Sequence, residues 1–312
     1  METLNSRISV IIPVYNEISV LPELWRRLNS VITSLPNYHL EIIFVDDGSD
    51  DGTFDFLQKL CEEVPCANLL SFSRNFGHQM AISAGIDYAN GDAVILMDGD
   101  LQDPPEVITS FIDKWKMGWD VIYAIRSKRK ESLLKRLSYN FFYRLMKLFS
   151  YLDVPLDSGD FCLMDNKVVR QIKAMPERNR FVRGLRTWVG YKQVGLEIPR
   201  GARYFGKPKY TTSKLFKLAL DGLISFSFVP LRLMTITGFM VSSLSFLMII
   251  LIIYQKLIRN VSPQGWSSTA ILILFLGGIQ LICLGIIGEY LARIFDEVKQ
   301  RPLYVLKTKI GF

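Results

Sequence analysis

Between Ile8 and Ser127, five short runs rich in aliphatic and β-branched residues, ISVIIPVY, LEIIFVDD, ANLLSFSRN, AVILMDGD and DVIYAIRS, alternate with longer amphipathic stretches. Those stretches read as helices over Val20 to Ser34, Phe54 to Glu63, His78 to Tyr88 and Pro105 to Lys116. Parallel strands need long return connections, usually helices. The alternation therefore predicts an α/β domain with a mainly parallel sheet and helices on both faces. In such sheets ligands gather at the carboxyl ends of the strands. Here those ends carry Asn16-Glu17, Asp46-Asp47, Arg74-Asn75, Asp98-Gly99-Asp100 and Arg126, acids and bases together, as a metal and phosphate site requires.

The rest of the chain has a different composition. Leu233 to Tyr254 and Val261 to Gly288 are free of charge, each long enough at roughly 20 residues or more for a bilayer-spanning helix. Lys256 and Arg259 lie between them, against Arg293, Lys299, Arg301, Lys307 and Lys309 after the second. This basic bias places both termini and the N-terminal domain in the cytoplasm. Two further segments have the pattern of interfacial helices. Leu134, Leu137, Phe141, Leu145, Leu148 and Leu152 share one helical face, and Lys214, Lys217, Asp221 and Ser225 form a narrow polar stripe within Ser213 to Phe228. The expected organisation is a catalytic domain over 1–210, a juxtamembrane helix over 211–229, two transmembrane helices over 230–292 and a basic tail over 293–312.

The net charge of +7 suits nucleic acid, anionic lipid or a phosphorylated substrate alike, so position must decide. The cations cluster near the expected membrane and phosphate sites, and no nucleic-acid-binding module is visible. Cys61, Cys66, Cys162 and Cys283 form no C-x-x-C pair, which argues against structural zinc or a disulfide framework. The first apolar run is broken by Pro13 and Glu17 and reads as a strand, not a signal peptide.

Asp98-Gly99-Asp100 closes the run Ala93 to Met97. In an extended chain residues i and i+2 face the same way, so the two carboxylates would converge, and Gly99 leaves room for a ligand. Hard carboxylate oxygens favour Mg²⁺ or Mn²⁺, ions that bridge diphosphate oxygens. No G-x-G-x-x-G follows the first strand and no G-x-x-x-x-G-K-[ST] occurs, which argues against a dinucleotide oxidoreductase and a P-loop NTPase.

Taken together, PVYNE, VDDGSDDGT, RNFGHQMA and DGDLQDPPE, then Asp157-Ser158-Gly159-Asp160-Phe161 and the stretch from Arg200 to Tyr210, resemble family 2 inverting glycosyltransferases of the GT-A fold. Among them the chain is similar to polyprenyl-phosphate sugar synthases, above all the bactoprenol glucosyltransferases with two C-terminal membrane helices, and is related to the dolichyl-phosphate mannose synthases. The resemblance implies a bacterial inner-membrane enzyme that moves a sugar, glucose from UDP-glucose, onto a polyprenyl phosphate with Mg²⁺ or Mn²⁺ as cofactor. By the same resemblance Pro13, Tyr15, Glu17 and Asp46 hold the nucleoside. Asp98 touches ribose, sugar and metal, and Asp100 with Gln102 holds the metal. Arg126, Arg200, Arg203 and Lys209 meet the donor pyrophosphate and the acceptor phosphate, groups that suit guanidinium forks. Asp157 matches the position of the catalytic base. One departure is Pro208, which stands where the family has a small hydroxyl residue before the Lys-Tyr pair.

Alternative readings are a GDP-mannose-dependent polyprenyl-phosphate mannosyltransferase and a processive polysaccharide synthase, to which Arg186-Thr187-Trp188 is a partial match. A non-catalytic membrane-anchored binder is a third. His39 and His78 have no metal-ligand companions in sequence and read as surface or helix-start residues, and Trp115 and Trp119 as packing residues. Gly277-Gly278 and Gly285 to Gly288 would allow close helix packing in a homo-oligomer.

Overall fold

A computed structural model describes residues 6–126, 158–178, 180–198, 229–258 and 265–312. These fall into two compact units, and residues 301–312 belong to the first with the N-terminal domain.

The first unit is built on an eight-stranded sheet. The expected alternation is present as β1 (Ser6–Val14), α1 (Leu21–Ser34), β2 (Tyr38–Asp46), α2 (Thr53–Glu63), β3 (Ala67–Phe72), α3 (His78–Tyr88), β4 (Ala93–Leu96), α4 (Val107–Lys116) and β5 (Val121–Arg126). Beyond it come β6 (Ser158–Asp165), α5 (Asn166–Ala174), α6 (Val182–Trp188) and β7 (Gln193–Ile198). After two long helices, α7 (Val229–Ile258) and α8 (Trp266–Lys299), the chain ends in β8 (Leu306–Ile310).

The strand order is β7-β5-β6-β4-β1-β2-β3-β8. β1, β2, β3 and β4 pair in parallel, and β7 runs parallel to β5. β6 enters antiparallel between β4 and β5. The sheet is thus mainly parallel, with two reversed strands, β6 where the ladders of the two halves meet and β8 at the edge beside β3.

Alternating side chains on the strands feed two cores. Val10, Ile12, Ile42 and Phe44 pack with Leu24 and Leu28 of α1, Leu57 of α2 and Phe111 of α4 on one face. Ile11, Ile43 and Val45 pack with Ile82 of α3, Val169 of α5 and Leu185 of α6 on the other. Trp115 and Trp119 pack against the first core as expected, and the Trp115 indole N–H donates to Asp165 Oδ2 at 2.8 Å.

The C-terminal residues differ from the expected basic tail. Leu306 to Ile310 form β8, antiparallel to β3, with Leu70 opposite Lys309 and Ser71 opposite Thr308. Leu306, Thr308 and Ile310 are half-buried while Lys307 and Lys309 are exposed. This is a period-two pattern, and the two lysines also discourage further pairing at the sheet edge. Tyr304 stacks on Phe72 with ring centroids 5.1 Å apart, and its hydroxyl donates to Asp87 Oδ2 at 3.0 Å. A chain ended after Gln300 is expected to melt about 5–10 °C lower and to self-associate through the bared β3 edge. Thermal unfolding and size-exclusion chromatography in detergent check this, and an unchanged melting point would show that β8 adds no cohesion.

The second unit holds α7 and α8, whose large apolar side chains are mostly exposed, Phe239, Leu281 and Ile282 among them. Two bilayer-spanning helices were expected from the charge-free runs. Among the described residues, Phe275–Lys299 within α8 is long and apolar enough to cross a membrane, whereas α7 offers the shorter apolar run Met234–Met248. The expected interfacial segments 134–152 and 213–228 lie outside the described residues.

Candidate active site

The parallel register sets Val14 beside Asp46, so the loops that follow β1 and β2 leave the sheet side by side. They are then stitched together. Asn16 adopts φ 54°, a left-handed conformation that asparagine tolerates better than most residues. Its Nδ2 donates to Asp50 Oδ1 at 2.7 Å, and the Asp50 amide donates back to Asn16 Oδ1 at 3.0 Å. The amides of Asn16, Glu17 and Ile18 donate to Ser49 Oγ, Thr53 Oγ1 and Asp51 Oδ2. PVYNE and VDDGSDDGT are therefore one structural piece.

Within that piece the expected nucleoside contacts take different positions. Pro13 is buried in β1, whereas Tyr15 is 40% exposed at the strand end. The Glu17 carbonyl accepts from the amides of Val20 and Leu21 and so starts the turn into α1. Asp46 is buried, with Oδ1 accepting from the Ser49 amide and Oδ2 from the Ser71 hydroxyl. One of its oxygens thus braces the loop and the other ties the end of β2 to β3.

The geometry at Asp98 and Asp100 corrects the extended-chain expectation. β4 ends at Leu96 and residues 99–100 form a turn, followed by Leu101 at φ 58°. The turn is tight because a Cβ on Gly99 would stand 2.9 Å from Val14 Cγ1 and 3.3 Å from the Pro13 carbonyl oxygen. Asp100 and Gln102 lie against each other in this turn. The Gln102 amide donates to Asp100 Oδ1 at 3.1 Å and its Nε2 to Oδ2 at 2.9 Å. Asp103, which the sequence reading did not single out, is fully buried with Oδ2 3.5 Å from the Asp98 amide. Burial, opposed by His78 and reinforced by repulsion from Asp103, Asp160 and Asp100, pushes the Asp98 carboxyl up to about 7.

His78, read from sequence as a helix-start residue, does begin α3, but it also faces the site. Its Nε2 lies 3.5 Å from Asp98 Oδ1 and 3.7 Å from Asp160 Oδ2. Register explains the meeting. Leu96 pairs with Cys162 in the antiparallel β4–β6 ladder, so continuing by two residues brings Asp98 opposite Asp160. Asp160 Oδ1 in turn accepts from Arg183 Nε and Nη2, each at 3.3 Å. Burial works to raise the Asp160 carboxyl, but the nearby His78 and the charges of Arg183 and Arg186 outweigh it and hold it well below the usual carboxylate range. Burial works to lower His78, and Asp160, Asp98 and Asp47 together keep it above its ordinary value. The only sequence signal for this cluster was the placement of RNFGHQ directly after a strand.

Arg126 ends β5 opposite Ile198, at the same edge of the sheet, and its side chain lies outside the described set. Asp157, Arg200, Arg203 and Lys209 also lie outside the described residues. Ser158, which follows Asp157, pairs with Ile125, so β6 starts at this edge.

Among the described residues no group of three or more His, Cys, Asp or Glu side chains makes a ready-made metal cage. Mg²⁺ and Mn²⁺ at a nucleotide-sugar site are held by one or two carboxylates and completed by substrate phosphates and water. Asp98 and Asp100 are the carboxylates of this turn that would suit such an ion.

Residues 9–173 match the family model described as glycosyl transferase family 2. The chain is 44% identical to the uncharacterized glycosyltransferase YkcC of Bacillus subtilis (strain 168), over 97% of this chain and 94% of that one. It is 43% identical to the bactoprenol glucosyl transferase of Shigella phage SfII, over 96% of this chain and 97% of that one. Identity to the prophage bactoprenol glucosyl transferase homolog of Escherichia coli (strain K12) is 42%, over 96% and 98%. The family match spans β1 through nearly all of α5, the part that carries the carboxyl-edge loops and the Asp98–Asp160 cluster. With that match over more than half of its length and relatives aligned almost end to end, the chain belongs to glycosyl transferase family 2, and is a glycosyltransferase.

Proposed function

We propose that this enzyme transfers glucose from UDP-glucose to a polyprenyl phosphate at the cytoplasmic face of a bacterial inner membrane, with inversion at the anomeric carbon. The observation that carries this reading is the extent of the match. Relatives named bactoprenol glucosyl transferases align with 96–97% of this chain, through the C-terminal helices as well as the catalytic unit. The exposed apolar surface of α7 and α8 supports membrane attachment, which brings the enzyme to its lipid acceptor.

In this reading the β1–β2 piece, with Pro13, Tyr15, Glu17 and Asp46, receives the nucleoside. Asp98 orients the ribose and sugar and shares the metal with Asp100 and Gln102. A divalent cation held there offsets charge on the diphosphate as it departs. Arg126, Arg200, Arg203 and Lys209 bind the donor pyrophosphate and the acceptor phosphate. An oxygen of the lipid phosphate attacks the anomeric carbon in line while the bond to UDP breaks, which inverts the configuration. The second pKa of a phosphate monoester is near 6, so most acceptor is a dianion at neutral pH and needs little deprotonation. Asp157 therefore orients the acceptor at least as much as it removes a proton.

Detergent-purified protein with Mg²⁺ or Mn²⁺ and a polyprenyl phosphate is offered UDP-glucose, UDP-galactose, UDP-N-acetylglucosamine and GDP-mannose separately, and lipid products are read by mass. A β-linked glucosyl-phosphate lipid from UDP-glucose is expected. Product from GDP-mannose alone would replace the donor, a polymer would point to a processive synthase, and an α-linked lipid would overturn inversion.

A further inference from the structure

We propose that His78 is a positioning residue that ties the Asp98 carboxylate to Asp160, and so fixes the donor-side turn against the strand that follows Asp157. The inference rests on the functional reading above and adds to it the link between the donor and acceptor sides of the site.

The ladder between β4 and β6 stops at Leu96 and Cys162, and β4 then gives way to the Asp98–Asp100 turn, where no ladder hydrogen bond joins the two segments. His78 lies between their carboxylates, with Nε2 3.5 Å from Asp98 Oδ1 and 3.7 Å from Asp160 Oδ2. The imidazole is held from both flanks. Ahead of it, Asp47 accepts from the Phe76 amide at 2.7 Å and from the Gly77 amide at 3.0 Å, which fixes the entry to α3 on the end of β2. Behind it, Gln79 Oε1 accepts from the Val182 amide at 3.0 Å, which fixes the first turn of α3 to α6.

Asp160 is held in its turn by α6. Arg183 approaches its Oδ1, while Arg186 is 1% exposed and its Nε and Nη2 find no hydrogen-bond partner among the described residues. A buried guanidinium favours the charged form of a nearby carboxylate, and Asp160 is held below its usual range partly by Arg186. The result is a continuous path from α6 through Asp160 and His78 to Asp98. Donor binding draws on many contacts, and losing one tether changes it little. In-line attack depends on geometry within about an ångström, and misplacement on that scale costs on the order of a hundredfold.

The full-length protein is compared with His78→Phe, His78→Gln and Asp160→Asn, using whichever donor the parent accepts. His78→Phe is expected to lower kcat about tenfold to a hundredfold, with donor KM within about threefold of the parent. His78→Gln, which keeps a side-chain N–H donor, is expected to regain most of the loss, and His78→Phe with Asp160→Asn to turn over no more slowly than the slower single variant. Parent-like turnover in His78→Phe, a KM that rises as far as kcat falls, or no rescue by glutamine would overturn the proposal. Should the phenylalanine variant fail to fold, the glutamine and Asp160→Asn variants carry the same comparison. If the parent forms no sugar-lipid, the functional reading fails by itself. The tether is then read from melting temperatures, where losses at His78 and Asp160 that simply add would overturn it.

Discussion

Asp100→Ala is expected to lower sugar transfer by about a thousandfold or more, equivalent to roughly 4 kcal/mol of transition-state stabilisation. Asp100 lies in a turn, partly exposed, and the Gln102 amide and side chain donate to it. Losing those two hydrogen bonds costs about 1–2 kcal/mol of folding free energy, so the variant folds. The large loss is in chemistry, because the charge on the departing diphosphate then goes unanswered. Two measurements check this together. Turnover should collapse, and the Mn²⁺-dependent part of nucleotide binding, read by calorimetry, should disappear while the melting temperature moves only a few degrees. Turnover within about tenfold of the parent would remove Asp100 from the metal site.

Gly48→Ala is expected to be the most damaging small substitution in the loops. Gly48 has φ 72°, and a Cβ there would stand 2.6 Å from the Arg74 carbonyl carbon and 2.9 Å from the Asn75 nitrogen. Those are backbone atoms and cannot swing aside as a side chain would. Left-handed conformation alone costs an L-residue about 1–2 kcal/mol, and the overlap raises the total to about 2–4 kcal/mol. The displaced segment leads directly to Phe76 and Gly77, which Asp47 anchors, and to His78. Stability and turnover should therefore fall together. Gly52→Ala is the control, since Gly52 also has positive φ, at 93°, but a Cβ there meets nothing within 4 Å. It should cost only the conformational part, about 1–2 kcal/mol. Equal melting temperatures for the two variants would show that the close approach to Arg74 is unimportant.

Much of the catalytic unit was legible because its signals are local. The strands β1 to β5 and the helices α1 to α4 follow from apolar runs alternating with amphipathic stretches, and the structure has each of them within a few residues of its expected bounds. Parallel strands then carry their carboxyl ends to one edge, so Asn16, Asp46, Asp98 and Arg126 could be assigned to a common edge without knowledge of the strand order. The pairing of Asp100 with Gln102 is likewise a short-range matter of two residues in one turn.

The residues that escaped the sequence reading depend on pairings between distant segments. A reversed strand has the same period as a parallel one, so nothing in Ser158 to Asp165 announced that β6 would slip between β4 and β5. That insertion is what sets Asp160 opposite Asp98 and turns His78 from a helix-start histidine into a bridge between them. The basic residues of the tail concealed the alternation of Leu306, Thr308 and Ile310, and only the open edge of β3 makes a strand of it. Local chemistry thus determined which residues stand at the catalytic edge, because hydrophobic period and turn propensity act over a few residues. The tertiary structure decided which of them meet, because register and strand order arise from burial summed over the whole sheet.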